Sequence, residues 1–364
     1  MQISIIAGAR PNFMKIAPII DAIKLAQSAG KSIAFRLVHT GQHFDHKMSE
    51  SFFQELGIPE PDVNLACGGG TQAEQTAAIM VKFEKELIEN PADVVLVVGD
   101  VTSTMACSIV AKKLNIQVVH VEAGIRSFDL SMPEEINRMV TDALADHFFT
   151  TSEKANQNLL LAGNSSDRIH FVGNTMIDTL LKQKSRFKKP EFWDGLGLEK
   201  NEYLVLTLHR PANVDDPEKL KELLEEIIAN AKHLPVVFPV HPRTAKMLAQ
   251  IKFSHPQLNM VEPQSYLAFN YMVMHAKGVI TDSGGITEET TVMGVPCMTL
   301  RDNTERPETV SIGTNELIGT NPKAIQPALQ NLLSGNWKKG AIPPLWDGKA
   351  SERIIAELLR TYPS

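Results

Sequence analysis

The sequence predicts an α/β protein of two doubly wound, parallel-sheet (Rossmann-like) domains facing one cleft. Three observations carry that prediction. Short apolar runs of strand length alternate with helix-period segments along the chain. The alternation fails once, around Lys182–Lys200, and then begins again. At 364 residues the chain also exceeds one ordinary hydrophobic core.

In order, strand Ile3–Ala7 leads into a helix over Asn12–Ser28, and strand Ile33–His39 into a helix through Lys47–Leu56. The Gly68–Gly70 loop precedes a helix over Gln72–Glu89. Val94–Val98 is continuously apolar, the mark of a central strand buried on both faces. Helix Thr102–Leu114, strand Val118–Val121 and helix Glu134–Ala145 follow, then His147–Thr150, Glu153–Leu161 and His170–Val172. The Lys-rich Lys182–Lys200 stretch reads as an interdomain linker or loose helix. The second series runs through strands Tyr203–Leu208, Val236–Val240, Met260–Val261, Val279–Thr281 and Cys297–Leu300. Its helices are Pro217–Lys232, Thr244–Lys252, Tyr266–His275, one opening at Gly284, and one within Lys323–Leu333. After the Pro343-Pro344 break, Ser351–Arg360 is a final amphipathic helix.

Composition excludes several function classes. Hydrophobic content of 43% and charge of 21% describe a soluble globular protein, and a net charge of −6 argues against broad nucleic-acid binding. No apolar run reaches membrane-spanning length, and the N-terminal strand does not read as a signal peptide. Cys67, Cys107 and Cys297 are scattered and read as buried thiols, which fits a cytoplasmic, reducing setting.

In such folds ligands lie beyond the C-terminal ends of the strands, and polar residues gather there. Arg10 follows the first strand, Asp100 ends Val94–Gly99, and Glu122 ends Val118–Val121. His209 and Arg210 end Tyr203–Leu208, His241 ends Val236–Val240, and Ser283 ends Val279–Thr281. The segment Thr281–Glu289 is the most telling. Gly284 and Gly285 at a helix start bare backbone N–H groups at the positive dipole end, an anion site, and Glu289 lies more than a turn further on, in reach of sugar hydroxyls. Structural alternatives stand beside each reading. Asp282 or Ser283 serves as an N-cap, and Asp100 caps the helix near Thr102. Glu122 pairs with Arg126 or Arg138, and Glu134 pairs with Arg138 at i,i+4. His120 and Glu122 share a strand face, but no third ligand at short spacing makes them a metal site. Met272 and Met274 read as core.

Taken together the motifs resemble those of the non-hydrolysing UDP-N-acetylglucosamine 2-epimerases. The motifs are Gly8-Ala9-Arg10-Pro11-Asn12 with Lys15, Val98-Gly99-Asp100, His120–Arg126 and Pro133–Arg138. Gly173–Asp178, Leu208-His209-Arg210, Pro239–Pro242, Glu262–Tyr266, Thr281–Glu289 and Arg301–Glu308 complete the order. The resemblance implies a glycosyltransferase-B-type fold. Residues 1–185 would then be an N-terminal domain carrying the carboxylates, 186–345 a UDP-binding domain, and 346–364 a helix packed back on the first domain. It implies a homodimer with no metal or nicotinamide cofactor and a UDP-sugar substrate. It further implies acid/base roles for Asp100, Glu122 and Glu134, with His209 assisting at the pyrophosphate. Arg10, Lys15, Arg138, Gln264, Phe269, Ser283, Gly284, Gly285, Glu289 and Arg306 would hold the substrate. Ala9 and Asn12 depart from the family's usual Thr and Glu, and the Ser127–Met132 loop is short, as in relatives acting on modified UDP-sugars. Gln42, Arg210 and His241 suit a second, activating UDP-sugar, whereas Asp45 and Gly68–Gly70 do not match the family's regulatory side chains.

The residue types suit the implied chemistry. The C2 proton of such a sugar adjoins an acetal carbon and is not acidic. Breaking C1–O first builds positive charge at C1 and acidifies C2–H. Cations and a helix N-terminus stabilise the departing UDP, and two carboxylates on opposite faces remove and return the proton. A glycosyltransferase, a hydrolysing epimerase and a non-catalytic sugar-nucleotide sensor are the rival readings.

Overall fold

The computed structural model describes residues 1–42, 53, 55–240 and 242–362. Most of the helix expected over Lys47–Leu56, with Asp45 and His241, lies outside the described residues. The chain forms two compact units, Met1–Lys182 with Pro344–Ser364, and Gln183–Pro343.

The first unit is built on a seven-stranded sheet. Its strands are β1 Gln2–Ala7, β2 Ala34–His39, β3 Val63–Asn64, β4 Val94–Val98, β5 Gln117–Val121, β6 His147–Thr150 and β7 Ile169–Phe171. All pair in parallel in the order β3-β2-β1-β4-β5-β6-β7. All five residues of β4 are buried, as an apolar strand with helices on both faces requires. Val95 and Val97 meet Phe83, Val110 and Phe148 on one face. The order reverses between β1 and β4, the switch point where such sheets leave a crevice. Register pairs Val98 with Val121, so Gly99-Asp100 and Glu122 emerge side by side.

The C-terminal helix, Ala350–Thr361, belongs to this first unit. The Asp178 carboxylate accepts the Ala350 and Ser351 N–H groups at 3.1 and 2.7 Å, supplying from another helix the cap that Lys349 does not. Trp346 is buried and donates its indole N–H to the Thr151 carbonyl at 3.0 Å.

The second unit has a six-stranded parallel sheet: β8 Leu204–Thr207, β9 Val236–Pro239, β10 Leu258–Val261, β11 Gly278–Thr281, β12 Cys297–Thr299 and β13 Asn315–Leu317. Its order is β10-β9-β8-β11-β12-β13. Alternation along β8 divides the core: Leu204 and Leu206 join Leu224, Ile227 and Ile280 on one face, while Val205 joins Val237, Val279 and Cys297 on the other. The β8–β11 switch pairs Thr207 with Thr281, whose hydroxyls hydrogen-bond at 2.7 Å, so His209 and Ser283 leave adjacent strand ends.

One expectation holds only in part. The boundary between the units falls at the start of the Lys182–Lys200 stretch, between Lys182 and Gln183, but the rest is no loose linker: Trp193 and Leu198 are buried in the second unit's core. Trp193 stands edge-on to Tyr203 and Tyr271, with ring centroids 5.2 and 5.3 Å apart. Strands β3 and β13 and the helices Thr175–Gln183, Pro211–Val214 and Pro307–Ser311 add to the expected elements. Among the described residues no helix is long and apolar enough to cross a membrane.

Candidate active site

Each unit carries part of the expected set of site residues. In the first unit, β1 passes through Gly8-Ala9 into the helix Arg10–Ser28, leaving Arg10 exposed at the helix start. Asn12 clamps that turn. Its Oδ1 accepts the Gly8 and Ala9 N–H groups, both at 3.0 Å, and its Nδ2 donates to the Val98 carbonyl at 3.2 Å. Asn12 thus joins the tips of β1 and β4. One turn on, the buried Lys15 ammonium lies 2.7 Å from the Glu122 carboxylate. Glu122 itself adopts a left-handed backbone at φ +70°, a conformation that costs a non-glycine residue on the order of 1–3 kcal/mol. Beside it Gly99 has φ +66°, and a Cβ there would come within 3.1 Å of Lys15 Nζ.

Asp100 caps nothing. The N-cap of the helix Thr102–Lys113 is Val101, and the Asp100 carboxylate instead meets Arg138 Nη2 at 2.5 Å. Arg138 also meets Glu135 at 3.0 Å, so the expected i,i+4 partner Glu134 gives way to an i,i+3 pair. Glu135 is buried and accepts the Ser127 N–H and hydroxyl at 2.8 and 2.9 Å, which pins the short 127–132 loop to the helix. Glu134 is half-buried on that helix's first turn. Asn137 donates to the Asp100 carbonyl at 2.8 Å, so one helix fixes both ends of that residue.

Of the two arginines expected beside Glu122, Arg126 is engaged elsewhere. Arg126 lies 2.6 Å from Asp142, whose carboxylate also meets His120 Nδ1 at 2.7 Å and the Gly124 N–H at 3.1 Å. Burial alone would raise Asp142, but His120 and Arg126 together hold it below the usual carboxylate range. The other His120 nitrogen meets the Gly99 carbonyl at 2.8 Å. His120 therefore fastens the tips of β4 and β5 and is not turned toward Glu122 as a metal ligand.

The second unit's set surrounds the start of the helix Gly284–Met293. Ser283 is its N-cap residue but makes no side-chain cap, and Gly284 and Gly285 are half-buried on its first turn. Asp282 turns back to the β8 tip instead of capping the helix. Its fully buried carboxylate accepts the His209 and Arg210 N–H groups at 3.0 and 2.9 Å and Asn213 Nδ2 at 3.2 Å. It also lies 2.7 Å from His209 Nδ1, while the His209 side chain remains 48% exposed. Burial opposes ionisation of Asp282, but the His209 contact and these backbone donors bring it below its ordinary value.

Further along the helix, Glu289 is buried and accepts the Tyr266 hydroxyl at 2.9 Å. Burial pushes its carboxyl up to about 7. Arg306 is buried against Glu288 at 2.5 Å, and Arg301 against Glu305 at 2.9 Å. Gln264 and Phe269 are half-buried at and just inside the start of the helix Tyr266–His275, with Gln264 donating to the Glu262 carbonyl at 2.7 Å.

Of the expected site residues, the first unit contains Arg10, Lys15, Asp100, Glu122, Glu134 and Arg138, and the second contains His209, Gln264, Phe269, Ser283, Gly284, Gly285, Glu289 and Arg306. Sequence reasoning missed Asp142, Glu135 and Glu288. Each is a carboxylate on the buried side of a helix, a placement that demands a cation or donor and is the available signal. Gln42, proposed for a second ligand, accepts the Ser103 N–H and hydroxyl at 3.1 and 2.8 Å.

The UDP-N-acetylglucosamine 2-epimerase family model matches residues 26–359. A UDP-N-acetylglucosamine 2-epimerase of Methanocaldococcus jannaschii is 41% identical over 98% of both chains. Its crystal structure in complex with UDP-GlcNAc and UDP is similar at a TM-score of 0.88, covering 99% of this chain and 100% of that one, at 40% identity. A UDP-2,3-diacetamido-2,3-dideoxy-D-glucuronate 2-epimerase of Pseudomonas aeruginosa is 39% identical over 88% of each chain. A lipopolysaccharide outer core galactosyltransferase shares the fold alone, at a TM-score of 0.58 and 15% identity over 100% of both chains.

Proposed function

Because this chain belongs to the UDP-N-acetylglucosamine 2-epimerase family, it is an isomerase of nucleotide sugars, and we propose that it interconverts UDP-N-acetylglucosamine and UDP-N-acetylmannosamine by elimination and re-addition of UDP. In the first step the C1–O bond breaks and UDP leaves with the electron pair. The C2 proton passes to a carboxylate, leaving a 2-acetamidoglucal. A second carboxyl group, protonated at the outset, gives its proton to C2 from the other face, and the UDP oxygen adds back to C1. The two carboxyl groups, which have exchanged protonation states, are reset through solvent. Atoms and charge balance without a cofactor.

The observation that carries this reading is the pair of adjacent strand ends at β4 and β5. Asp100 and Glu122 leave neighbouring strands, and Asp100 meets Arg138 while Glu122 meets Lys15. Two pre-oriented carboxylates are what a two-face proton transfer needs. Glu134 is the alternative partner. For the nucleotide, the bared helix start at Ser283–Gly285 and the outward ring of His209 supply donors to the departing diphosphate. Arg10 adds positive charge at the β1 tip, and Glu289, Gln264 and Phe269 take the nucleoside. Arg306 acts there through Glu288. The three buried cysteines suit a cytoplasmic enzyme, and a homodimer supplying precursors for polysaccharide synthesis completes the reading.

The test is turnover of UDP-N-acetylglucosamine in D₂O. Deuterium enters C2 as the epimer appears, with no acceptor present. Turnover without label excludes the elimination route, and turnover that depends on an acceptor favours a transferase. Free UDP with free N-acetylmannosamine would mark a hydrolysing enzyme. The Pseudomonas aeruginosa relative and the short loop pinned by Glu135 favour a second reading, a UDP-sugar modified at C3 and C6. A ratio of kcat/KM favouring that sugar would establish it.

A further inference from the structure

We infer that Asp282 is a positioning residue that fixes the tautomer and aim of His209, so that Nε2 alone faces the departing diphosphate. This deepens the proposed function and rests on it for the identity of the leaving group. The geometry itself lies within the second unit.

Three observations converge. Asp282 Oδ1 lies 2.7 Å from His209 Nδ1. A carboxylate only accepts, so Nδ1 must carry a proton whenever the two are bonded. The carboxylate in turn has no freedom to rotate away. It accepts the His209 N–H at 3.0 Å, the Arg210 N–H at 2.9 Å and Asn213 Nδ2 at 3.2 Å, while Asn213 is anchored to the Leu300 carbonyl at 3.0 Å. Asp282 is fully buried, whereas the His209 side chain is 48% exposed. The buried end of the imidazole is therefore committed to a rigid acceptor and the other nitrogen is directed outward.

That arrangement has a chemical consequence. A neutral imidazole with Nδ1–H presents Nε2 as an acceptor or base. Once protonated, the same nitrogen becomes a cationic donor, and the Asp282 charge stabilises the imidazolium. Both states keep one ring orientation, so no reorganisation accompanies the change in charge as UDP departs and returns. Asn at position 282 would present either an amide oxygen or an amide N–H to Nδ1. The latter selects the wrong tautomer, and an analogous exchange in a serine protease triad costs about 10⁴ in kcat.

The test is a kinetic cycle joined to ring-¹⁵N histidine NMR. In wild-type protein at alkaline pH, where the ring is neutral, the His209 resonance (assigned by its loss in His209→Gln) shows protonated Nδ1 and bare Nε2. Asp282→Asn mixes or reverses the tautomers and lowers kcat by about 10²–10⁴ while KM for the UDP-sugar changes less. In the His209→Gln background, Asp282→Asn costs little more, because Asp282 acts through the imidazole. A bare Nδ1 in wild-type protein overturns the inference, and so does full additivity of the two variants. Should Asp282→Asn fail to fold, the wild-type spectrum still decides. Absence of C2 exchange in wild-type protein would defeat the epimerase reading while leaving the tautomer measurement intact.

Discussion

Lys15→Met should be among the most damaging single changes in the first unit. The ammonium lies 2.7 Å from Glu122, and both residues are buried, at 7% and 4% exposure. Removing the ammonium takes a fixed cation away from a buried carboxylate, at up to about 3–5 kcal/mol. At 1.4 kcal/mol per decade, unfolding or local opening of this region should become roughly 10²–10⁴-fold more favourable. Native-state hydrogen exchange is the suitable assay, because two compact units need not unfold together. Amides of β4, β5 and the helix Arg10–Ser28 should lose protection, while those of β8 and β11 should not. Glu122→Gln in the same background should restore part of the loss, since a neutral amide needs no counter-ion. Exchange of Lys15→Met like a surface variant, within about 0.5 kcal/mol of wild type, would refute a stabilising buried pair. A double variant less protected than Lys15→Met alone would refute it equally.

Four further outcomes follow from the same geometry. Asp100→Asn should abolish C2 exchange in D₂O yet retain UDP binding by calorimetry, because Asp100 belongs to the other unit from the helix start at Ser283. Gly99→Ala should cost about 1–2 kcal/mol for its left-handed backbone, and its Cβ, 3.1 Å from Lys15 Nζ, should lower kcat more than KM rises. For Glu289 the carboxyl is raised from 4.5 to about 7 by burial, so the native state holds a proton that the unfolded chain has released. Stability should therefore fall as pH rises from about 4.5 to about 7 and level off above, by about 3 kcal/mol in all. Glu289→Gln should flatten that slope in denaturant midpoints while weakening UDP binding; an unchanged slope would reassign it. Trp193→Ala should destabilise the second unit by about 3–5 kcal/mol, read as loss of protection at Tyr203 and Val205, whereas a linker tryptophan would cost almost nothing.

That last variant marks a boundary of what was legible. The helix Gln72–Glu89 runs as the residues predict because Thr71 and Glu74 form a reciprocal capping box, at 3.2 and 2.8 Å. Strand β4 was legible because five consecutive apolar residues leave no exposed face. Strands β3 and β13 have two and three residues, too few for any period to register. Trp193 sits among lysines, glycines and turns, and its burial depends on aromatic partners at Tyr203 and Tyr271 that no local pattern reveals.

The same division runs through the candidate site. Which strand ends carry polar side chains could be read, since Asp100, Glu122, His209 and Ser283 each follow an apolar run. Which charge answers which could not. Local spacing offered Arg138 to Glu134 and Asp282 to a helix cap, but Arg138 reaches Asp100 and Glu135, and Asp282 reaches the tip of β8. At Asp100 and Asp282 the fold brings a donor distant in sequence to the carboxylate, whereas Glu135 takes Arg138 from its own helix. Glu122 is the extreme instance, meeting a lysine 107 positions away in sequence. A parallel sheet closes its pairings across whole βα units, so its strand ends are where local inference weakens most. They are also where preorganised charge has the greatest effect on a departing diphosphate and a migrating proton. The variants that discriminate between the proposed roles are therefore those at the long-range partners, Lys15, Arg138 and Asp282, as well as at the carboxylates and imidazole they hold.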